Sequence, residues 1–251
     1  MNKALEAGFW GFVAGAALLL GAAAGYLAPV PRRVVAGIMG FGGGVLISAL
    51  AFDLMDEAYR RGGFDSTSIG FLGGAVVYTA VNWLLAHRGA KHRKRSGGQQ
   101  PSEKDHPGSG TAILVGALLD GIPESIVIGV SLISGGSVSV ATVVAIFLSN
   151  IPEGLSAAIG MKRAGRSARY IFGLHGVIVV VSAAAAVVGY AVFSKFSVEV
   201  IAATTAVAAG GILAMLSDTM MPEAFAEGHN MIGLVTVLGF LAAFVLTKIG
   251  H

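Results

Sequence analysis

Cysteine is absent from this chain of 251 residues, and charged side chains are scarce. Without cysteine the protein can form neither disulfide bonds nor thiolate metal sites. Charged residues make up 12% of the sequence and hydrophobic residues 55%, whereas a soluble domain usually carries about 25% charged residues. The mean hydropathy of +0.77 agrees with repeated apolar runs that are long enough to cross a bilayer. The composition therefore excludes an ordinary soluble domain and predicts an all-α, polytopic membrane protein.

Sequence motifs for enzymatic chemistry and for nucleic-acid binding are also missing. The net charge is +3 and the isoelectric point is near 9.3, but most basic residues stand in short loops beside apolar runs, where they indicate topology. The chain has no Walker motif, no dinucleotide fingerprint and no Ser-His-Asp arrangement. We therefore expect a protein that is not an enzyme, has no catalytic cofactor and binds no nucleic acid.

Eight apolar runs of membrane-spanning length are predicted, and they form a single transmembrane domain over residues 1–251. The first run follows a short "MNK" start, but it is long for a signal peptide and lacks a cleavage site, so we expect it to be retained as a helix. The predicted spans cover about residues 8–29, 34–58, 67–86, 111–134, 138–161, 170–193, 198–221 and 230–248.

One connection is long, at residues 87–110, and its polar, basic sequence predicts a flexible loop. If this loop is cytoplasmic, twelve Lys and Arg residues lie on the cytoplasmic side and five on the other side. The positive-inside rule favours that orientation. We therefore expect a multi-pass protein of the cytoplasmic (inner) membrane, with the lipid bilayer around it and both termini outside the cytoplasm.

Acidic residues occur inside the fourth and fifth spans, in the related phrases "LLDGIPES" and "LSNIPEG". Asp120 and Glu124 lie one helical turn apart, and Glu153 follows 29 residues after Glu124 in the same Pro-Glu context. A charged side chain at the bilayer centre costs roughly 2.5–3.5 kcal/mol, so these carboxylates must face the protein interior or water. Neither span contains Lys or Arg. A bound cation, or protons in its place, is the simplest partner.

Other oxygen donors stand near these carboxylates in the predicted helices. Ser149 and Asn150 precede Glu153 by four and three residues and so project from the same helix face. Pro123 and Pro152 each interrupt a helical hydrogen bond and free a carbonyl oxygen beside the acids, as in broken helices that line a site. The alternative is a pair of kinked helices with protonated, hydrogen-bonded carboxyl groups. The predicted core metal site consists of Asp120, Glu124, Asn150, Glu153 and Ser149.

Two further acidic clusters end the second and seventh spans, in "FDLMDEA" and "SDTMMPEA". Both contain Asp-x-Met followed closely by Glu-Ala, after a Gly-rich stretch. With the expected orientation the first cluster lies at the outer face and the second at the inner face, as an inverted repeat predicts. The alternative is that these acids are solvated helix ends. The predicted outer mouth comprises Asp53, Asp56 and Glu57, and the predicted inner mouth comprises Asp218, Glu223, Glu227 and His229.

These features together resemble the ZIP (zinc–iron permease) family of metal transporters, in particular its bacterial members. The resemblance is carried by the paired Pro-Glu motifs, the eight predicted spans and the long basic, His-containing loop after the third span. It implies a three-plus-two-plus-three inverted-repeat arrangement of helices, uptake of divalent metal ions into the cytoplasm, an elevator-like motion and a homodimer. It also implies that Glu124 and Glu153 bind the transported metal.

The metal-site motifs depart from the typical family pattern. Where the family's fourth span has His-Asn-x-Pro-Glu-Gly, this chain has Asp120 at the first position and Ser125 at the last. The fifth-span motif begins with Ser149 and Asn150 in place of His-Glu or Gln-Asp, and the acidic residue usual in the sixth span is missing from "GVIVVVSAA". An oxygen-only site suits manganese or magnesium better than zinc or iron. We interpret His175, in the sixth span, as a hydrogen-bonded interior histidine. We expect one main site, with zinc, manganese or iron as the candidate cargo.

Other functions remain open on the sequence alone. Without the usual histidines, a ZIP-like protein could serve in the membrane as a metal sensor or scaffold that does not transport. A carrier that couples proton or sodium movement to a small solute would also use buried carboxylates. The third alternative is an intramembrane enzyme with Asp120 and Glu124 as an acid/base pair.

Overall fold

The computed structural model describes residues 2–135 and 138–249, without the side chains of residues 134 and 135. All regular structure in these ranges is helical, which confirms the predicted all-α class. The α-helices are α1 (Lys3–Leu27), α2 (Arg32–Ala49), α3 (Met55–Leu85), α4 (Ser109–Gly135), α5 (Val140–Arg163), α6 (Ala168–Phe193), α7 (Val198–Met215), α8 (Met221–Gly228) and α9 (Ile232–Ile249).

Several helices begin at capping residues that the sequence supplies. Asn2, Ser139 and Ser167 precede α1, α5 and α6, and each side chain accepts a hydrogen bond from a backbone N–H of the first turn. Residues 136 and 137, between the fourth and fifth predicted spans, lie outside the described residues. Four predicted spans, 8–29, 111–134, 138–161 and 170–193, each coincide with one helix to within a few residues.

Six continuous helical segments in the described residues are long and apolar enough to cross a membrane. Two of them, residues 32–90 and 198–249, are far longer than a bilayer requires. Each contains a residue with a non-helical backbone, Gly63 with φ 70° and His229 with φ 48°. Gly63 tolerates this conformation because it has no Cβ. Both breaks fall between predicted spans, so the structure interrupts these long segments where the sequence predicts connections.

Two π-helical turns interrupt the long segments at related positions. Leu50–Leu54 follows α2 and contains Asp53, and Leu216–Met220 follows α7 and contains Asp218. Such turns are rare and occur frequently at functional sites, because they widen the helix and redirect side chains. The two Asp-x-Met phrases of the sequence therefore adopt the same unusual local structure.

Glycines allow four helix pairs to pack with their backbones in close contact: α1 with α5, α2 with α9, α3 with α7, and α4 with α6. At each crossing both helices present a glycine, and a Cβ atom at either one would collide with a backbone carbonyl of the partner. Small residues at helix interfaces are the usual means of close packing in membranes. The glycine pairs are Gly21 with Gly154, Gly44 with Gly239, Gly74 with Gly210, and Gly129 with Gly189.

The connection between α3 and α4 is shorter than the predicted flexible loop over 87–110. Residues 87–90 belong to a π-helical turn that extends α3, and residues 109–110 already belong to α4. The remaining segment folds back against the helices, and Arg93, Lys94, Ser96 and Gln100 are buried. A segment for which flexibility was predicted thus makes specific interior contacts, because its basic side chains find buried acids.

We predict that Gly74→Ala lowers the melting temperature of the protein in detergent or nanodiscs, because the added methyl group would meet the carbonyl group of Val207. The loss of stability should be about 1–3 kcal/mol. Gly73→Ala is the matched control, since its methyl group would point into open space on the same helix. Thermal unfolding that is identical in the two variants would contradict the close crossing of α3 and α7.

Candidate functional site

Asp120 in α4 is clamped by groups from two other parts of the chain. The Arg93 guanidinium donates to both carboxylate oxygens, Nε to Oδ2 at 2.9 Å and Nη2 to Oδ1 at 2.8 Å. The Tyr78 hydroxyl donates to Oδ1 at 2.7 Å, and Arg93 Nη1 donates to the side-chain oxygen of Asn82 at 2.9 Å. Tyr78 and Asn82 lie one turn apart on α3 and so face the same way. The bidentate geometry fixes both charged groups.

Lys94 lies beside the Arg93–Asp120 ion pair, and its side chain reaches α5. Its Nζ is 2.7 Å from Oε2 of Glu153 and 3.3 Å from Oδ2 of Asp120. The third neighbour of the ammonium group is the thioether sulfur of Met215, at 2.9 Å. Only 5% of Lys94 is exposed, so its charge is compensated by the protein and not by water. The ammonium group of Lys94 thus lies between Asp120 of α4 and Glu153 of α5.

The backbone of the basic turn, residues 93–96, is fixed to α5. The Ser156 hydroxyl donates to the carbonyl of Lys94 at 2.6 Å, and Arg163 donates to the carbonyl of Ser96 at 2.6 Å. The Gln100 amide donates to the carbonyl of Arg93 at 2.8 Å. These contacts satisfy the backbone groups that a buried turn would otherwise leave unpaired.

Glu223 in α8 holds the other end of the basic turn. Its Oε1 accepts hydrogen bonds from both the backbone N–H and the hydroxyl of Ser96, each at 2.7 Å. Arg95 forms an ion pair with Oε2 at 3.3 Å. Glu223 was predicted as part of the inner mouth, and the structure buries it with only 2% exposed. The basic turn therefore links the core carboxylates to this acid.

A glutamate in the same connection anchors its second half. Glu103 accepts hydrogen bonds from the guanidinium of Arg166 and from the backbone N–H groups of Gly108 and Gly110. These donors, Arg166 foremost, lower the pKa of the exposed Glu103 carboxyl to about 2. The connection is therefore held at both ends, at Glu223 and at Arg166.

Glu124 and Glu153 each keep a buried carboxylate oxygen without a hydrogen-bond partner in the described part of the chain. In both residues this atom is Oε1. Glu124 is 2% exposed and Glu153 is 6% exposed, so both carboxylates lie away from bulk solvent. Buried unpartnered carboxylate oxygens are costly and mark a position where a proton or a cation would be stabilised.

Ser149 and Asn150, predicted as ligands of the core site, use their side chains for hydrogen bonds to backbone carbonyls. The Asn150 amide donates to the carbonyl of Ala14 in α1 at 2.9 Å, and Ser149 donates to the carbonyl of Ile146 in its own helix at 2.9 Å. Pro123 and Pro152 lie inside helices that continue through them, so neither helix is broken. Asn150 nevertheless remains at the site, since it lines a cavity together with Glu153.

This cavity is small, about 30 Å³, and it brings a histidine to the site. Its polar lining consists of Arg93, Lys94, Asp120, Asn150, Glu153 and His175. His175 Nδ1 lies 2.8 Å from the carbonyl of Ile171, which confirms the predicted hydrogen-bonded interior histidine. Because a carbonyl only accepts, Nδ1 carries a hydrogen, and in the neutral ring Nε2 is then the nitrogen with the free lone pair. An imidazole therefore borders the site although neither Pro-Glu motif contains one.

The predicted mouth acids are spread over separate contacts. Asp56 and Glu57 form ion pairs one turn along α3, with Arg60 at 2.9 Å and Arg61 at 3.2 Å. This arrangement is typical of solvated helix surfaces. Asp53 lies on the first π-helical turn with a partly exposed side chain. Near the other predicted mouth, Asp218 accepts from Asn82 at 3.3 Å, Glu227 pairs with Arg32 at 3.3 Å, and His229 is exposed.

The predicted core acids converge, but basic side chains lie among them. Asp120 and Glu153 both contact Lys94, and Glu124 lies one turn from Asp120 on α4. In the ranges 2–135 and 138–249 no three His, Asp or Glu side chains are grouped closely enough to hold a metal ion. The ammonium of Lys94 fills the position between Asp120 and Glu153.

Sequence reasoning missed the counter-ions of the site. Arg93, Lys94 and Arg95 stand in a basic run that was interpreted only as a topological signal. A useful signal was present: the carboxylates of the fourth and fifth spans needed partners, and this run holds three consecutive cations in the connection just before the fourth span. Tyr78 and Asn82, one turn apart in the third span, formed a second signal, because they give one face of an apolar helix hydrogen-bonding groups.

Comparisons with known proteins do not assign the chain to a family. No protein-family model matches it, and no curated protein matches it.

We predict that Arg93→Met lowers the free energy of unfolding by about 3–5 kcal/mol, because it removes the guanidinium that pairs with both oxygens of the buried Asp120 carboxylate and leaves only the longer contact with Lys94. The double variant Arg93→Met/Asp120→Leu should recover most of this loss, since no unpaired charge remains. Denaturant unfolding in nanodiscs measures both. Arg88→Met removes an exposed charge from the same region and is the matched control. Equal stability of Arg93→Met and Arg88→Met would contradict the ion pair.

Proposed function

We propose that this protein is a membrane transporter for divalent metal ions, with the cargo bound between α4 and α5. The observation that supports this most strongly is the pair of unpartnered, buried oxygens on Glu124 and Glu153. They stand beside Asp120, on helices that come together at a buried ammonium group. The site thus contains carboxylates that a positive charge would stabilise, and the ammonium group of Lys94 shows where a cation can bind among them.

The charge of the core site favours a cation over an anion or a neutral solute. Asp120, Glu124 and Glu153 carry one more negative charge than Arg93 and Lys94 supply when all are ionised. Such an excess in a low-dielectric interior attracts a cation or a proton. If the ammonium of Lys94 leaves the core, the excess becomes two negative charges, which one divalent cation balances.

The donor types suit first-row divalent ions. Carboxylate and amide oxygens from Glu124, Glu153 and Asn150 are ligands that manganese accepts readily. His175 lines the cavity beside Asn150 and Glu153 and adds an imidazole, which zinc and iron(II) favour. Its Nδ1 hydrogen bond to a backbone carbonyl is the arrangement that orients metal-binding histidines. We therefore propose zinc, manganese or iron as the cargo.

The packing pattern supports a three-plus-two-plus-three inverted repeat of eight spans. We divide the two long segments at Gly63 and His229, which gives spans one to eight in chain order. The glycine crossings then join spans one and five, two and eight, three and seven, and four and six. Exchanging spans one to three with six to eight, and four with five, maps this set of pairs onto itself. The exchange also maps the π-helical turn of Asp53 onto that of Asp218.

The Pro-Glu motifs remain the basis for proposing a ZIP-type transporter. Within that proposal, uptake is directed into the cytoplasm, residues 91–108 face the cytoplasm and two copies form a homodimer. The exposed apolar side chains along α3 and α9 are consistent with contact to lipid or to a second copy.

A non-transporting metal sensor or scaffold is the second candidate. The observation that favours it is the occupancy of the site by Arg93 and Lys94, both of which are buried and paired. A protein in which these ion pairs never break would keep its helices in one arrangement and transport no ion. A transport assay separates the two candidates.

We predict that purified protein in liposomes moves at least one of Mn²⁺, Zn²⁺, Fe²⁺ and Cd²⁺, and that Glu124→Gln and Glu153→Gln each slow this transport. The loss should be roughly 10- to 100-fold, because each substitution removes a charged oxygen ligand. Uptake is followed with a metal-sensitive dye inside the vesicles.

Glu199→Gln is the control for this assay, since Glu199 is exposed at the start of α7. If the wild type moves none of the four ions, the transporter proposal is wrong and the sensor proposal gains support. If the wild type transports and both core variants transport equally well, the assignment of the site to Glu124 and Glu153 is wrong.

A further inference from the structure

We propose that the Lys94 side chain is a tethered cation that occupies the cargo position and must move aside before a divalent ion binds. This inference rests on the proposed transport function and adds a gate to it. The ammonium of Lys94 contacts Glu153 at 2.7 Å and Asp120 at 3.3 Å, where a bound metal ion would contact the same groups. Lys94 therefore competes with the cargo for Glu153.

Only the side chain of Lys94 is free to move. Its carbonyl accepts from Ser156 at 2.6 Å. Two positions further along the chain, Ser96 is bound to Glu223 through both its N–H and its hydroxyl. Gly160 of α5 approaches the carbonyl of Arg95 so closely that a Cβ would collide with it. The turn is thus fixed to α5 and α8. The four-carbon stem of lysine carries the ammonium and can change rotamer without moving this backbone.

Arg93 and Lys94 have different roles despite being neighbours. Arg93 is held by Asp120, Tyr78 and Asn82 through four hydrogen bonds between 2.8 and 2.9 Å. Its planar group fits this arrangement and is costly to remove. Lys94 has one short ion pair, one longer contact and a weakly accepting sulfur. Arg93 is therefore the permanent counter-ion of Asp120, and Lys94 is the exchangeable cation.

The cavity beside Lys94 is the space in which the cargo would bind once the ammonium group leaves Glu153. Lys94 lines this cavity of about 30 Å³ together with Asn150, Glu153 and His175. When Lys94 withdraws, Glu153 joins Glu124 as an uncompensated carboxylate, and the amide and imidazole face the same space. This site forms only when the Lys94 side chain has rotated away from Glu153.

Exchange against a lysine favours divalent over monovalent ions. A sodium or potassium ion that displaces the ammonium adds no net charge, so the excess carboxylate of the core stays uncompensated. A divalent ion replaces one positive charge with two and neutralises it. The gate thus contributes to selectivity as well as to closure.

The test compares Mn²⁺ binding to purified wild type and to Lys94→Met in nanodiscs, by titration calorimetry. Methionine keeps the length of the stem and removes the charge. We expect Lys94→Met to bind Mn²⁺ roughly tenfold more tightly or better, because the occupied state no longer lowers the apparent affinity. Lys91→Met removes an exposed charge from the same connection and should leave the affinity unchanged.

Three outcomes are informative. If wild type and Lys94→Met bind Mn²⁺ equally, the gate is wrong and the transport proposal stands. If Lys94→Met binds more weakly than the wild type, Lys94 supports the site and the gate is again wrong. If neither protein binds Mn²⁺, Zn²⁺, Fe²⁺ or Cd²⁺, both proposals are wrong.

A measurement on the wild type covers the case in which Lys94→Met does not fold. Lys94 and the exposed Lys91 are labelled with an amine-reactive reagent, with and without saturating Mn²⁺, and quantified by mass spectrometry. We expect Mn²⁺ to increase labelling of Lys94 several-fold while labelling of Lys91 stays constant. Labelling of Lys94 that is unchanged or reduced by Mn²⁺ would overturn the gate.

Discussion

Buried charge must be balanced, and in this protein one short turn supplies the balance. Arg93, Lys94 and Arg95 stand next to each other in the chain and pair with Asp120, Glu153 and Glu223 on three different helices. Each acid would be costly in an apolar interior on its own. Because the turn is short, it also fixes the distances among α4, α5 and α8. The arrangement of the candidate site depends on these ion pairs.

The helices around the turn are held by a different interaction, the close contact of backbones at paired glycines. Gly74 and Gly210 meet across α3 and α7, and Gly21 and Gly154 meet across α1 and α5. In a membrane the hydrophobic effect does little to hold one helix against another, so close van der Waals contact takes over that role. The glycine crossings provide a rigid frame, and the charged interior provides a specific site within it.

The sequence predicted the framework and the acids of the site well. The apolar runs predicted the helical class and the bounds of four helices, because length and hydropathy are local properties of the chain. The Pro-Glu phrases located Asp120, Glu124 and Glu153 in the interior from the cost of lipid exposure alone. The predicted mouths were less informative, since Asp56 and Glu57 pair along their own helix and not with the core. Glu223 proved to be buried, with partners that its neighbours in the chain do not reveal.

The sequence by itself therefore determined two things: the protein is all-helical, and the carboxylates in its interior need positive charge. Only the tertiary structure decided which residues supply that positive charge. Arg93 and Lys94 belong to a polar connection whose composition favours solvent, and hydropathy places such residues outside. Their burial depends on contacts with Asp120 and Glu153, which lie 26 or more positions further along the chain. Long-range pairing of this kind arises when helices pack, because only then does the cost of unpaired acids exceed the cost of burying the bases.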